Sequence, residues 1–393
     1  IRRLGPDHLW RVASILSIGF WTFLWLSVLQ YEWQGPLMRK RDFRQYVSAG
    51  EHLARGENPF ADPHLPVLTP PVMLPFAKLA WAIGLDATYV VCAIATGVGL
   101  AAAIAATLSL FELPLGRRAT VALAMATSPA FFFSLHLGQP SGVYFALTAG
   151  SLALLLRGRQ APAGLLAALL TVKPHYAVAL AGLAVVTGAR RFLVAFAIGT
   201  AALVLLTLPF GSERWAEWWA VFRDTQRLIQ VQPDSYWKKH FTFYSSVRLA
   251  TQGLDPRGRL ARGSLLGSFA VFGLAIAWLA RRVLVPLPRS PDVRAARVGA
   301  IVVLAICSLN AYQFYYDTVL LALPGAVLVL GASSWTSRRA HRVALGCAAL
   351  VWVFQATVLL SKFVPPVAGA VAVLWLALEV WDLRRGLPAR SAG

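Results

Sequence analysis

The sequence has few charged residues and still fewer acidic ones. Charged residues make up 14% of its 393 positions, with 17 Asp and Glu against 37 Lys and Arg, whereas soluble domains carry about 25% charged residues. This shortage excludes an ordinary soluble enzyme. Hydrophobic residues make up 58% of the chain, and many apolar runs approach the roughly 20 residues that span a bilayer. We therefore predict an all-α polytopic membrane protein, a single domain over residues 1–393.

Several patterns of enzymes and metal proteins are also missing. The three cysteines lie in apolar segments and have neither metal nor disulfide spacing. The histidines lack ligand spacing, and there is no Asp-x-Asp pair. A phosphate-binding glycine-rich loop and a nucleophile elbow are absent from the sequence too. We therefore expect no metal and no other cofactor.

The positive charge of the chain has a topological meaning. The formal net charge is +20, and the arginines form clusters between apolar runs, the pattern that marks cytoplasmic loops. Arg297 belongs to such a cluster, ahead of an apolar run at about residues 298–309. We expect membrane lipids as partners and no nucleic acid. The apolar runs predict about 10–13 membrane helices, including short re-entrant ones.

The arginine clusters also place two polar regions on the outer face, which is periplasmic or extracellular. Residues 31–66 form the first outer loop, after an apolar segment at about residues 10–30 that has Arg2 and Arg3 on its cytoplasmic side. Residues 211–262 form the second outer loop, which is basic and rich in aromatic residues. Because a positive outer loop runs against the usual charge bias, we expect an anionic substrate there.

The first outer loop contains a candidate catalytic acid. Hydrophobic spacing around Tyr46 predicts a short amphipathic helix on the membrane surface. Asp42, just before it, can act as a general base toward a hydroxyl, and we assign Arg44 and Tyr46 to sugar or acceptor binding. The alternative for Asp42 is a surface carboxylate that pairs with a neighbouring arginine.

A lysine interrupts an apolar stretch between two arginine clusters. Both clusters are predicted to be cytoplasmic, so an even number of crossings is needed, yet each arm is short for a full span. We predict a hairpin of two short helices that meet at Lys173-Pro174, with the tip inside protein or beside a water-filled cavity. Lysine at bilayer depth costs a few kcal/mol, so we assign Lys173 and the neighbouring His175 to phosphate binding. The alternative is a lysine that reaches the membrane surface.

Other polar residues of the outer face are candidates for substrate binding. We assign Gln139, Tyr316 and Asp317 to sugar or acceptor binding, although Asp317 at a predicted helix start can also be a simple cap. In the second outer loop, Lys238, Lys239 and His240 can form a phosphate clamp or only contact lipid headgroups.

An ordered set of short motifs spans about residues 40 to 325. They are Asp42-Phe43 with Tyr46 through Ala49-Gly50, Gly56-Glu57-Asn58-Pro59-Phe60, Pro70-Pro71, Leu137-Gly138-Gln139-Pro140, Lys173-Pro174-His175 before Arg190-Arg191, and Tyr316-Asp317 before Leu320-Leu321-Ala322-Leu323-Pro324. In this ordered set the chain resembles the glycosyltransferase family 87 membrane enzymes of the GT-C superfamily, which include polyprenyl-phosphate-mannose-dependent mannosyltransferases.

The resemblance implies a GT-C-like fold in a bacterial cytoplasmic membrane, with amphipathic helices in the first outer loop, on the periplasmic face. It also implies a polyprenyl-phosphate sugar donor, a lipid-side cavity for that donor, and Asp42 as the catalytic base. The expected reaction moves mannose or a similar hexose or pentose to a hydroxyl of a lipid or glycan acceptor. We expect inversion at the anomeric carbon, and a monomeric enzyme.

Two other functions stay open at this point. One is a lipid-linked-glycan flippase or transporter, which would need polar groups at several depths of the membrane. The other is an O-antigen ligase or polymerase-type enzyme, which also uses a basic outer loop. The position of Asp42 and the interruption at Lys173 favour the glycosyltransferase.

Overall fold

The computed structural model describes residues 19, 44–61, 69–136, 139–230, 234–251, 254, 258–285, 293–310, 314–361, 365 and 367–387. Within these ranges the regular secondary structure is helical, and the β-structure is limited to an isolated bridge between His240 and Phe314. Four of the described helices are long and apolar enough to cross a membrane, and a bent pair makes a fifth candidate. Shorter apolar helices of 10–17 residues accompany them. The predicted all-α polytopic membrane protein is therefore confirmed.

The helices of the described ranges are numbered in chain order. They are α1 (Arg44–Ala54), α2 (Leu74–Ile83), α3 (Leu85–Leu108), α4 (Leu115–Ala126), α5 (Pro129–His136), α6 (Ser141–Leu156), α7 (Gln160–Leu169), α8 (Pro174–Thr187), α9 (Arg190–Leu205), α10 (Glu213–Gln230), α11 (Asp234–Trp237), α12 (Phe243–Thr251), α13 (Arg259–Val283), α14 (Val293–Leu309), α15 (Ala322–Leu330), α16 (Arg338–Ser361) and α17 (Ala368–Arg385). Short 3-10 turns cover Pro71–Met73, Leu170–Val172, Leu208–Phe210, Tyr315–Leu321 and Ala332–Ser334.

One expected helix differs from the observed structure, and another falls on residues that the structure does not describe. The first apolar segment, at about residues 10–30, lies outside the described residues apart from residue 19. The apolar run at about residues 121–137, which hydropathy predicts as one helix, is divided between α4 and α5 with a bend of 54°. Pro129 at the start of α5 explains the break, because proline has no backbone N–H to continue the preceding helix.

The helices α3 and α6 approach each other at backbone distance. A Cβ added at Gly142 would come within 2.2 Å of the Thr96 carbonyl oxygen, and one added at Gly99 would meet the Gly142 backbone at 2.7 Å. Thr96 Oγ1 also donates a hydrogen bond of 2.9 Å to the Gln139 carbonyl oxygen. Glycines at membrane-helix contacts permit such approach. This contact fixes the position at which α6 begins.

The predicted hairpin is confirmed as α7, the Leu170–Val172 turn and α8. The second arm begins at Pro174, directly after Lys173, where a proline at the first helical position loses no hydrogen bond. The first arm packs closely on α9, because a Cβ at Gly164 would lie within 2.2 Å of the Phe192 carbonyl oxygen. The hairpin therefore presents Lys173 at its tip.

The two regions predicted as outer loops, where they are described, contact each other. Tyr46 of α1 is buried and meets the ring of Phe76 edge-on at 5.4 Å. The partly buried Trp218 of α10 packs on the same cluster. Arg214 of α10 donates a hydrogen bond of 3.2 Å to the Glu57 carbonyl oxygen. The apolar side of α1 thus faces protein, and α10 holds it in place.

Arg297 is not a flanking arginine, contrary to the expectation from the sequence. It lies inside α14 and is fully buried. Its guanidinium donates hydrogen bonds of 2.9 and 3.0 Å to Glu379 Oε2 and one of 3.1 Å to Asp382 Oδ2. Asp382 also accepts a bond of 2.9 Å from the Ser337 backbone N–H. This buried cluster ties α14 to α17 and to the segment before α16.

The α3–α6 contact predicts the effect of one added methyl group. Gly142→Ala should lower the free energy of unfolding by about 1–3 kcal/mol, since the new Cβ cannot fit against the Thr96 carbonyl without a backbone shift. Thermal unfolding of the purified protein in detergent, followed by tryptophan fluorescence, measures the change. Gly97→Ala on α3 is the matched control, because its Cβ would meet nothing within 4 Å. Equal effects of both changes would show that the close contact is not needed.

Candidate functional site

Lys173 and Asp317 form a buried ion pair. Lys173 Nζ lies 2.5 Å from Asp317 Oδ1, and Ser141 Oγ donates a hydrogen bond of 2.9 Å to the same oxygen. The Lys173 side chain is 17% exposed and that of Asp317 is 4% exposed. The contact joins the hairpin tip, the Tyr315–Leu321 turn and the first residue of α6. Two of the residues predicted for the site are therefore neighbours.

Three tyrosine rings surround the ammonium group. Lys173 Nζ is 4.8 Å from the ring centroid of Tyr144, 5.8 Å from that of Tyr316 and 6.0 Å from that of Tyr176. A cation within about 6 Å of an aromatic face is attracted by the ring quadrupole. The rings therefore favour a cation in a place where few waters can reach it.

The segment that carries Asp317 is held by hydrogen bonds to its backbone. Ser134 Oγ donates one of 3.0 Å to the Tyr316 carbonyl oxygen, and Gln355 Nε2 donates one of 3.3 Å to the Thr318 carbonyl oxygen. Asp317 lies in the first turn of this 3-10 segment, where a carboxylate is favourable. Its carboxylate also contacts Lys173 and Ser141, so its role is not limited to the helix start.

Tyr144 connects this pair to the first outer loop. It is buried and lies within electrostatic range of both Tyr46 of α1 and Asp317. The Pro71–Met73 turn, which precedes α2, contacts the turn at the hairpin tip. Arg44 begins α1 and is exposed. Asp42 lies outside the described residues, so its role as the base stays a prediction.

Gln139 is buried at the end of the loop before α6. Its backbone N–H donates a hydrogen bond of 2.7 Å to the Ser134 carbonyl oxygen, and Ser141 follows two positions later. It thus stands beside a residue that touches Asp317. Its role in sugar or acceptor binding stays a prediction.

The three residues of the predicted phosphate clamp differ in their surroundings. Lys239 is exposed, Lys238 is half-buried and His240 is buried. Burial, and in second place the charge of Lys239, lowers the pKa of His240 to about 3, so the imidazole is neutral at pH 7. Its ring lies 4.4 Å from that of Phe314. His240 therefore contributes no positive charge, and the phosphate contact of the two lysines stays a prediction.

His240 also docks the second outer loop onto the segment of Asp317. It forms the isolated bridge with Phe314, whose ring stacks on that of Tyr316 at 5.3 Å. Since Tyr316 contacts the Lys173 ammonium, a continuous row of rings runs from the second outer loop to the ion pair. The loop can thus position the site without a direct charge contact.

An apolar groove lies between α8, α13 and α14. Its volume is about 310 Å³, and its lining residues are apolar apart from His175 and Asn310. His175 follows Lys173 by two positions, and Asn310 directly follows α14, which packs against both α8 and the Tyr315–Leu321 turn. The polar end of the groove is therefore next to the segments that carry Lys173 and Asp317.

The described residues contain no group of three or more His, Cys, Asp or Glu side chains that could hold a metal ion. The cation that the site offers is Lys173, and an ammonium can bind a phosphate as a point charge. With the tyrosine rings, Asp317 and the groove, the arrangement suits an amphiphile with an anionic head.

Sequence reasoning missed Ser141, Tyr144 and Tyr176. Ser141 and Tyr144 are three positions apart at the start of α6, so they share one helix face. Tyr176 is on the first turn of α8, just after Lys173. One sequence signal could have identified them. Each is a polar residue near the start of an apolar helix, and each of these helices begins next to a candidate residue.

Comparison with known proteins identifies one family. The model of glycosyltransferase family 87 matches residues 67–309, more than half of the chain. No curated protein and no solved structure matches this chain. The matched range runs from just before α2 to the end of α14, so it includes Lys173, Ser141 and the second outer loop. Asp42 precedes it and Asp317 follows it.

The ion pair predicts a large loss of stability when one partner is removed. Lys173→Met should lower the free energy of unfolding by about 3 kcal/mol, because Asp317 would remain buried without its cation. Adding Asp317→Leu should restore most of the loss, since both charges are then absent. Chemical unfolding in detergent micelles measures both variants.

The control for this experiment is the exposed pair of Glu51 and Arg55 on α1. Arg55→Met should change the free energy of unfolding by less than about 1 kcal/mol, as is usual for surface pairs. If Lys173→Met has no larger effect than Arg55→Met, the buried pair does not stabilise the fold.

Proposed function

The chain belongs to glycosyltransferase family 87 and is a membrane glycosyltransferase, and from this premise we propose that its sugar donor is a polyprenyl phosphate. The observation that carries the proposal is the Lys173 ammonium, ringed by tyrosines beside the polar end of an apolar groove. A cation next to an apolar surface suits a phosphate attached to a hydrocarbon chain. The acceptor is a hydroxyl of a lipid or glycan, and the sugar is mannose or a similar hexose or pentose.

The proposed reaction is a direct displacement at the anomeric carbon. The acceptor oxygen attacks this carbon while its bond to the phosphate oxygen breaks, which inverts the configuration. Asp42 accepts the proton of the acceptor hydroxyl. Lys173 stabilises the negative charge that develops on the departing lipid phosphate. Because this phosphate is a good leaving group, no acid has to protonate it.

Asp317 is proposed to orient the sugar. Its Oδ1 accepts hydrogen bonds from both Lys173 and Ser141, whereas Oδ2 accepts none from the described residues. Oδ2 can therefore accept a hydrogen bond from a sugar hydroxyl. Tyr316, Arg44, Tyr46 and Gln139 are the further contacts that we propose for sugar or acceptor.

The reaction is proposed to take place on the outer face of the cytoplasmic membrane. Support comes from the hydrogen bond between Arg214 and Glu57, which joins the two regions predicted to lie on that face. Tyr46, on the helix after Asp42, also interacts electrostatically with Tyr144, whose ring lies beside the Lys173 ammonium. We propose that the enzyme acts as a monomer.

A flippase or transporter is a weaker candidate. The two buried charge clusters lie near opposite ends of α14, at Arg297 and close to Asn310. Between them, residues 298–306 of α14 are apolar, so the helix offers no ladder of polar groups across the membrane. An O-antigen ligase or polymerase-type reaction gains no support from the family match.

The proposed base is tested by Asp42→Asn. Transfer should fall by roughly 100-fold or more, because an amide cannot accept the proton, while donor binding should stay intact. The assay incubates purified protein with labelled polyprenyl-phosphate sugars and membrane lipids. Glu51→Gln is the control, since Glu51 is also an acid of the first outer loop but pairs with Arg55, and it should keep full activity. Appreciable turnover by Asp42→Asn would exclude Asp42 as the base.

Metal removal tests the proposed role of Lys173. Because the ammonium supplies the positive charge at the phosphate, treatment with EDTA should leave the rate of transfer unchanged. The same labelled-donor assay measures the rate before and after chelation. A loss that added magnesium or manganese restores would show that a divalent cation takes part.

A further inference from the structure

The groove between α8, α13 and α14 has a definite length. Its lining runs over residues 175–186 of α8, 269–280 of α13 and 302–309 of α14, with Asn310 directly after α14. The lining of α8 and α13 thus extends over eleven residue steps, about 16 Å at the 1.5 Å rise of an α-helix. On α8 the lining positions recur every three or four residues, so they form one face of the helix.

Two glycines in this lining leave space instead of making a close contact. A Cβ added at Gly182 or Gly273 would meet nothing within 4 Å, and both residues are exposed. By contrast, a Cβ at Gly142 or Gly164 would clash with the backbone of a neighbouring helix. Glycine in a helix interior weakens the helix, and packing does not require it at Gly182 or Gly273. Their effect is to keep the groove open on its exposed side.

The two ends of the groove differ in polarity. His175 and Asn310 lie at the end near the ion pair of Lys173 and Asp317, and the rest of the lining is apolar. A ligand of complementary chemistry has an anionic head and a long apolar tail. The exposed side, which includes the half-exposed Phe269, would let such a tail enter from the bilayer.

We propose that this groove binds the head-proximal isoprene units of the donor lipid and that Gly182 and Gly273 are specificity-determining residues. An isoprene unit adds four carbon–carbon bonds of roughly 1.5 Å, each tilted to the chain axis, so it adds about 5 Å of extended chain and the groove takes roughly three units. Units beyond these lie in the bilayer and are not recognised. Lipid tails outside the groove are as apolar as its lining, so shape and not hydrophobicity selects the occupant. This inference rests on the proposed donor.

Kinetics with donors of different tail length test the proposal. For the unaltered enzyme in detergent, KM should fall from a one-unit to a three-unit donor and stay constant from three units to the full-length lipid. Gly273→Leu and Gly182→Leu should each raise KM for the three-unit donor about tenfold, because the new side chain fills the groove. Neither should change KM for the one-unit donor. A KM that keeps falling beyond three units would overturn the assigned length.

Gly267→Leu is the matched control. Gly267 is on α13, an added Cβ there meets nothing within 4 Å, and it is not in the groove lining. Its substitution has the same effect on helix propensity but should leave KM for every donor unchanged. If Gly273→Leu and Gly267→Leu raise KM equally, the groove does not bind the tail.

A binding experiment separates failure of this inference from failure of the proposed function. A photoreactive polyprenyl phosphate without sugar should label α8 and α13 in the unaltered protein and in Gly267→Leu, but not in Gly273→Leu. Absence of sugar transfer together with this labelling pattern would overturn the reaction and leave the groove assignment standing. Equal labelling of all three proteins, or equal competition by a straight-chain phospholipid, would overturn the groove assignment.

Discussion

One buried ammonium group requires a carboxylate, and much of the architecture follows from this requirement. A lysine at membrane depth is costly unless a partner compensates its charge, and Lys173 finds that partner in Asp317 at 2.5 Å. The two residues are 144 positions apart, so their contact fixes the hairpin of α7 and α8 against the Tyr315–Leu321 turn. Ser141 donates to the same carboxylate oxygen and thereby fixes the start of α6.

The ion pair also determines what a phosphate would meet in the site. The ammonium carries three donors, and Asp317 needs only one of them, so a phosphate can bind without separating the pair. The helix α8 begins directly after Lys173, and the positive end of its dipole favours an anion at the same place. The tyrosine rings limit the access of water, which strengthens both interactions. A site of zero net charge can therefore still attract an anionic lipid head.

The hairpin could be predicted because two rules act on a short stretch: the arms are too short to span, and Pro174 restricts the residue before it. From the sequence, Lys173 and Asp317 could be expected only to lie on the same outer face. Their contact could not be predicted, because two residues 144 positions apart leave no local sequence pattern. Tyr144 was missed because a tyrosine in an apolar helix has the same sequence context whether it faces lipid or a cation. The prediction that Arg297 flanks its helix was wrong. The local sequence of a flanking arginine does not differ from that of a buried one, and only the fold brings the acids of α17 into contact with Arg297.

The helix α14 shows how these contacts shape the groove. Near one end Arg297 is held by Glu379 and Asp382, and near the other end the helix packs against α8 and the turn that carries Asp317. A shift of α14 along its axis would leave the buried charge of Arg297 without its partners, which is strongly unfavourable. The position of α14, which forms one wall of the groove, is therefore fixed. Side chains on α8 and α13, not helix movement, must then set the width of the groove, and this is the reason that glycines at those two walls are significant.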